Sequence, residues 1–212
     1  MTRYPVLLAI LCMLASCGSS SAASSTSSAT AASAKCGPAS SRTLAHSSQG
    51  RVYVQTKTVY GCAVGGSRPV RLGGTGPCPG ASNNVGLVAV AGKKAAYTVR
   101  TCGVDTSSTL VIVRRLSDGR LLSSHAATEG SPAPESFESV GSIVVNSSGA
   151  VAWIGSVDSI ATHHTKIQVL EQSGGSVRTL DQGSSIKLAS LKLNGSKLSW
   201  EHGGSRQSAS LG

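Results

Sequence analysis

Reactivity in this chain of 212 residues is concentrated in six thiols, at Cys12, Cys17, Cys36, Cys62, Cys78 and Cys102. A cysteine can be acylated, oxidised to a disulfide or, as a thiolate, ligate a metal. The metal option lacks its spacing, since no CxxC and no nearby Cys/His grouping occurs. Cys12 lies inside an uncharged apolar run, residues 6–14 (VLLAILCML), preceded by the single cation Arg3. Such a run has the length of a signal-peptide core and is too short to span a bilayer. Cys17 directly follows two small residues, Ala15 and Ser16, which leave room for a peptidase to cut beside it; Ile10 and Leu11 ahead of Cys12 are bulky. The other four cysteines are expected to form two disulfides in an oxidising compartment, with three connectivities open. Cys36–Cys62 with Cys78–Cys102 is favoured, because each bond then ties an irregular segment to a neighbouring strand.

Leu14-Ala15-Ser16-Cys17 resembles the lipobox of bacterial lipoproteins. The resemblance implies cleavage before Cys17, a diacylglycerol on its thiol with fatty acyl chains such as palmitate, and anchorage to the bacterial cell membrane facing away from the cytoplasm. The competing expectation, an ordinary secretory signal cut after Ala34, places the site about twenty residues past the apolar core, farther than such sites sit. Three segments follow: a signal peptide over 1–16, a lipidated cysteine with a tether over 17–34, and a domain over 35–212. The tether, residues 18–34 (GSSSAASSTSSATAASA), has too little apolar bulk to offset ordering entropy. As a flexible coil it reaches on the order of 20–25 Å.

Other chemistry is sparse. His163-His164 is the one adjacent histidine pair; on a strand the two point to opposite faces and cannot share a metal. Asp105 and Asp158 are expected in equivalent loops, where an aspartate caps turns by accepting backbone N–H bonds. Ser136 stands between acids with no histidine close in sequence, and no Gly-x-Ser-x-Gly, phosphate loop or dinucleotide fingerprint occurs. The sequence therefore predicts no catalytic residue, no metal ligand and no cofactor.

Charge is unevenly placed. Residues 17–104 hold nine cations (Lys35, Arg42, Arg51, Lys57, Arg68, Arg71, Lys93, Lys94 and Arg100) and no acid, whereas nine of each follow from Asp105 onward. A surface of one sign can hold the protein to an anionic partner such as lipid headgroups or a wall polymer. Nucleic acid is disfavoured, because aromatics make up 3% of residues and no cluster of them interleaves with the cations in sequence.

The elements that must position these groups repeat. Four segments begin at a glycine and read as strands: residues 50–54 (GRVYV), 92–99 (GKKAAYTV), 149–154 (GAVAWI) and 195–200 (GSKLSW). Each is followed by a Gly-containing hairpin, at 62–72, 110–122, 167–180 and, shortened, 202–211. Tyr97, Trp153 and Trp200 occupy matching places and are expected in the core. The rhythm resembles bacterial β-propeller repeat proteins of the broad WD40-like and TolB-like kind over 44–211, although no Trp-Asp dipeptide occurs. The expected fold is all-β, a small or incomplete β-propeller of about four blade-like units, with a β-sandwich as the alternative. Residues 124–138, with two prolines and three acids, are expected to form an exposed connection.

The expected function is that of a membrane-anchored extracytoplasmic lipoprotein acting as a non-catalytic binding or scaffold module. Its partners would be the membrane through the lipid and an anionic cell-surface polymer or another protein. Two alternatives are electrostatic attachment to anionic polymer or lipid through the basic half, and a hydrolase or lyase site at the channel. The latter needs Asp105, Asp158 or His164 to converge in one pocket.

Overall fold

The computed structural model of the protein describes residues 36–66, 68–76, 83–130 and 135–212. The expected signal peptide over 1–16, Cys17, the expected tether over 18–34 and Cys78 lie outside the described residues. Within the described residues the fold is all-β, with fifteen strands and no helix.

The strands form four consecutive units. Unit 1 comprises β1 (Arg42–His46), β2 (Gly50–Gln55), β3 (Thr58–Ala63) and β4 (Val70–Gly74), an antiparallel meander. Unit 2 repeats it with β5 (Asn84–Ala91), β6 (Lys94–Cys102), β7 (Ser107–Arg115) and β8 (Leu121–Ala126). Unit 3 is β9 (Ser136–Val145), β10 (Val151–Ser159), β11 (His164–Ser173) and β12 (Ser176–Gln182). Unit 4 has three strands, β13 (Lys192–Asn194), β14 (Lys197–His202) and β15 (Ser205–Ser210).

Single parallel bridges, Gly74↔Asn84 and Ser107↔Phe137, join units 1 to 3 into one open sheet of twelve strands; unit 4 is a separate sheet. The turn into β6 is a two-residue loop with Gly92 at φ 56°, and that into β14 has Gly195 at φ 60°. Both are backbone conformations that a glycine adopts without steric cost.

Each unit packs face to face on the next. Alternate residues of a strand point to opposite faces, so Ala95, Tyr97 and Val99 of β6 meet Val52, Val59 and Leu72 of unit 1, while Ala96 meets unit 3. On β10, Val151 and Trp153 face unit 2, and Ala152 and Ile154 face Leu198, Trp200 and Leu211 of unit 4. Trp153, Tyr97 and Trp200 are buried. Burial on both faces explains why the sequence VAWI is a continuous apolar run rather than an alternating one.

Two irregular segments are sewn onto this stack. Residues 36–41 lie against unit 1, held by the Cys36–Cys62 disulfide and by Arg51. Its guanidinium donates to the carbonyls of Cys36, Pro38 and Ser41 and to the Thr43 hydroxyl. Residues 127–129 run between units 2 and 3. The Trp153 indole donates to the Ala127 carbonyl at 2.8 Å, the Glu129 amide donates to Gln168 Oε1 at 2.9 Å, and Lys166 donates to the Glu129 carbonyl. Gly155 makes room for this path, since a Cβ there would stand 1.8 Å from the Ala127 oxygen.

The expected exposed connection over 124–138 is therefore shorter than the sequence suggested. β8 pairs as far as Ala126, Ala127 and Thr128 are buried, and β9 begins at Ser136. Asp158 likewise lies on a strand, because the β10–β11 ladder runs on to Ser159↔His164.

Candidate functional site

The Cys36–Cys62 pairing is present, with its Cα atoms 5.5 Å apart. Cys102 is also disulfide-bonded; the expected partner, Cys78, lies outside the described residues, as does Cys17. Asp105 is exposed on the loop after β6. Asp158 accepts the Thr165 hydroxyl proton at 2.6 Å, and His163 and His164 are exposed. Among the described residues no group of three or more His, Cys, Asp or Glu side chains is placed to hold a metal.

What the fold assembles instead is an acid-free sheet face on unit 1. Val52, Val59 and Ala63 point into the core, so their neighbours on β2 and β3 point away from unit 2. Tyr53 and Tyr60 are directly paired across strands and stack with ring centroids 5.8 Å apart. The Arg51 guanidinium lies 5.1 Å from the Tyr53 centroid, a cation–π geometry. Arg71 pairs with Tyr60 on the far side and is exposed. Burial beneath residues 36–41 raises the Tyr53 hydroxyl pKa, against the opposing pull of Arg51. The stacking of these aromatics on each other and on Arg51 thus arises across strands, where the sequence carries only their order along residues 51–60. The available signal was the two-residue turn that sets Tyr53 opposite Tyr60.

Of the cations in this acid-free stretch, Arg42, Lys57, Arg68, Arg71 and Lys93 are exposed and none makes an ion pair: Arg71 lies on this face beside Tyr60, Arg42 pairs with Val54 on the opposite face, and the other three stand in turns and loops; all four ion pairs among the described residues belong to units 2 to 4. Arg51 and Lys94 are committed to structure, the latter donating to the Ser147 carbonyl of unit 3.

The acids of the second half are mostly occupied internally. Glu138, 3% exposed, accepts from the Thr109 amide and the Thr128 hydroxyl and ties β7, β9 and the 127–129 segment together. Glu171 accepts two bonds from Arg178. Asp181 of unit 3 accepts from the Trp200 indole at 2.7 Å and from His202 Nδ1 at 2.9 Å, both of unit 4. Burial pushes the Asp181 carboxyl up, but the bonds from Trp200, His202 and the Gln182 amide, with the His202 charge, outweigh it and hold the pKa below the usual value. An oriented histidine on a carboxylate is also the geometry of a general base. Among the described residues, however, no serine hydroxyl is bonded to the His202 ring, and a Cβ added at Gly183 would meet its Nε2. The pair acts as a clasp between units.

A cleft of about 430 Å³ opens between units 2 and 3, lined by Lys94, Arg115, Ser123, Gln172 and Ser173 among others, with Gly212 at its edge. His125, two residues along β8 from Ser123, is stacked on Trp153 with centroids 6.3 Å apart; burial lowers its pKa.

No family model matches the chain, and a search of curated proteins found no relative.

Proposed function

We propose that the protein is a membrane-anchored extracytoplasmic lipoprotein, lipidated at Cys17, whose four units form an incomplete propeller that serves as a non-catalytic binding module for the anionic cell surface. The repeated meander, face-to-face packing and a last unit one strand short support the propeller architecture over a two-sheet sandwich. The Cys36–Cys62 disulfide fits an oxidising compartment. The observation that carries the binding role is the acid-free surface of unit 1 and the start of unit 2, where five exposed cations stand without a carboxylate partner. Exposed cations with no acid beside them attract a polyanion or an anionic bilayer, and the attraction is screened by salt.

The test is retention of full-chain Cys17→Ala protein on vesicles containing phosphatidylglycerol, and on a soluble polyanion, at low and high salt. Binding at low salt that falls steeply with salt, and weakens in the Lys57→Ala/Arg71→Ala variant, supports the role; absence of binding at low salt rejects it.

A further inference from the structure

Over residues 105–212 cations and acids balance, nine to nine, yet the folded distribution does not. Asp181, Glu138 and Glu171 are drawn into contacts between strands and units, Asp118 pairs with Arg115, and Glu129 is tied to Thr179. This leaves a second basic face, on unit 4. Leu198 and Trp200 of β14 pack on unit 3, so Lys197, Ser199 and Glu201, which alternate with them, point the other way. Register extends the face across the sheet: Lys192 opposes Ser199 and Asn194 opposes Lys197 on one side, and Ser199 opposes Ser208 and Glu201 opposes Arg206 on the other. Lys192, Lys197 and Arg206 are exposed and make no ion pair; the one acid, Glu201, is paired with Lys187 at 3.0 Å. The result is an open groove of about 600 Å³ lined by Lys192, Leu193, Asn194, Lys197, Ser199, Arg206 and Ser208.

We infer that this face is a binding site for a linear polyanion of the phosphodiester or polyphosphate class, lying across β13–β15. Three cations and two hydroxyls on neighbouring strands, about 4.8 Å apart between strands, match repeated charges on an extended chain better than a single small ion. A bilayer fits less well, because the one apolar lining residue, Leu193, packs against the core and offers nothing to insert. A second copy of the chain fits less well again, because unit 1 presents cations of its own and like charges repel. The site is independent of the proposed unit 1 surface, in a different unit and from different residues.

The experiment is fluorescence anisotropy of labelled inorganic polyphosphate with the full-length protein in neutral detergent, over a salt series. Three further proteins are compared: Lys192→Ala/Lys197→Ala/Arg206→Ala, the single Lys197→Glu, and the unit 1 pair Lys57→Ala/Arg71→Ala. The triple variant is expected to weaken binding about tenfold or more and to lower the slope of log K against log salt by about one per phosphate-contacting cation removed. Lys197→Glu should weaken binding in the same direction. All substituted positions are exposed, and unchanged tryptophan fluorescence, to which Trp200 contributes, reports intact packing. Wild-type affinity and slope in the triple variant, or no polyphosphate binding by the wild type at low salt, overturns the inference. So does a triple variant that loses phosphatidylglycerol vesicles but keeps polyphosphate. Loss confined to the unit 1 pair supports the unit 1 surface alone and rejects this one.

Discussion

Asp181 and His125 show how one side chain can join two units, and each gives a pH dependence of definite sign. The folded Asp181 carboxyl is held below its usual value. Its stabilisation is therefore complete above the unfolded carboxyl range, near pH 4, and is lost as pH falls through the lower folded value. Asp181→Ala leaves the buried Trp200 N–H and the His202 ring without their acceptor, so a loss of about 1–3 kcal/mol is expected at pH 7. Urea unfolding of the two proteins should show that gap close below about pH 4; a gap that persists unchanged at acid pH contradicts the clasp. The His125 pKa is lowered by burial, which favours the neutral ring in the folded state. Stability should accordingly fall as pH drops below the unfolded histidine value, about 6.5, and His125→Phe should flatten that part of the profile. An identical slope between about pH 5 and 7 in both proteins would show that another group is responsible.

Among the elements, the second strands were the most legible part of the chain. Residues 50–54, 92–99, 149–154 and 195–200 all fall on β2, β6, β10 and β14 or on the turns that open them. Two-residue turns and apolar runs are local properties and survive into the fold. The segment 127–129 was not legible, because nothing in its composition says that Trp153, Gln168 and Lys166 will bind its backbone from residues 26 to 39 positions away. Gly155 is the local trace of that path. Gly155→Ala forces a Cβ onto the Ala127 carbonyl and should cost about 3 kcal/mol, at the upper end for overpacking; a change below about 0.5 kcal/mol, typical of an unconstrained surface site, would mean that the segment does not pack there. The acid-free face of unit 1 was half legible. The run of cations without acids is a fact of sequence, but the Arg51–Tyr53–Tyr60–Arg71 alignment needs the β2–β3–β4 register. The basic face of unit 4 was invisible for a different reason: the balanced count over 105–212 hides which acids the folded chain consumes.

At the scale of the molecule, a series of units sharing buried faces makes stability depend on the central strands. Trp153 sits between units 2 and 3, fully buried, and also anchors Ala127. Trp153→Ala should cost about 3–5 kcal/mol and lower Tm by several degrees while leaving the exposed cations of unit 1 in place. On the proposed reading, a sheet-built body is held outside the cytoplasm by a lipid at Cys17, with its disulfides formed and its uncompensated cations available to an anionic surface. The measurement that tests this most directly is the intact mass of the membrane-extracted protein, before and after alkylation under non-reducing conditions. The account predicts a chain that begins at Cys17, carries fatty acyl mass, and takes up no alkylating agent. A full-length chain with its leader uncut and alkylatable thiols at Cys36 and Cys62 would contradict it.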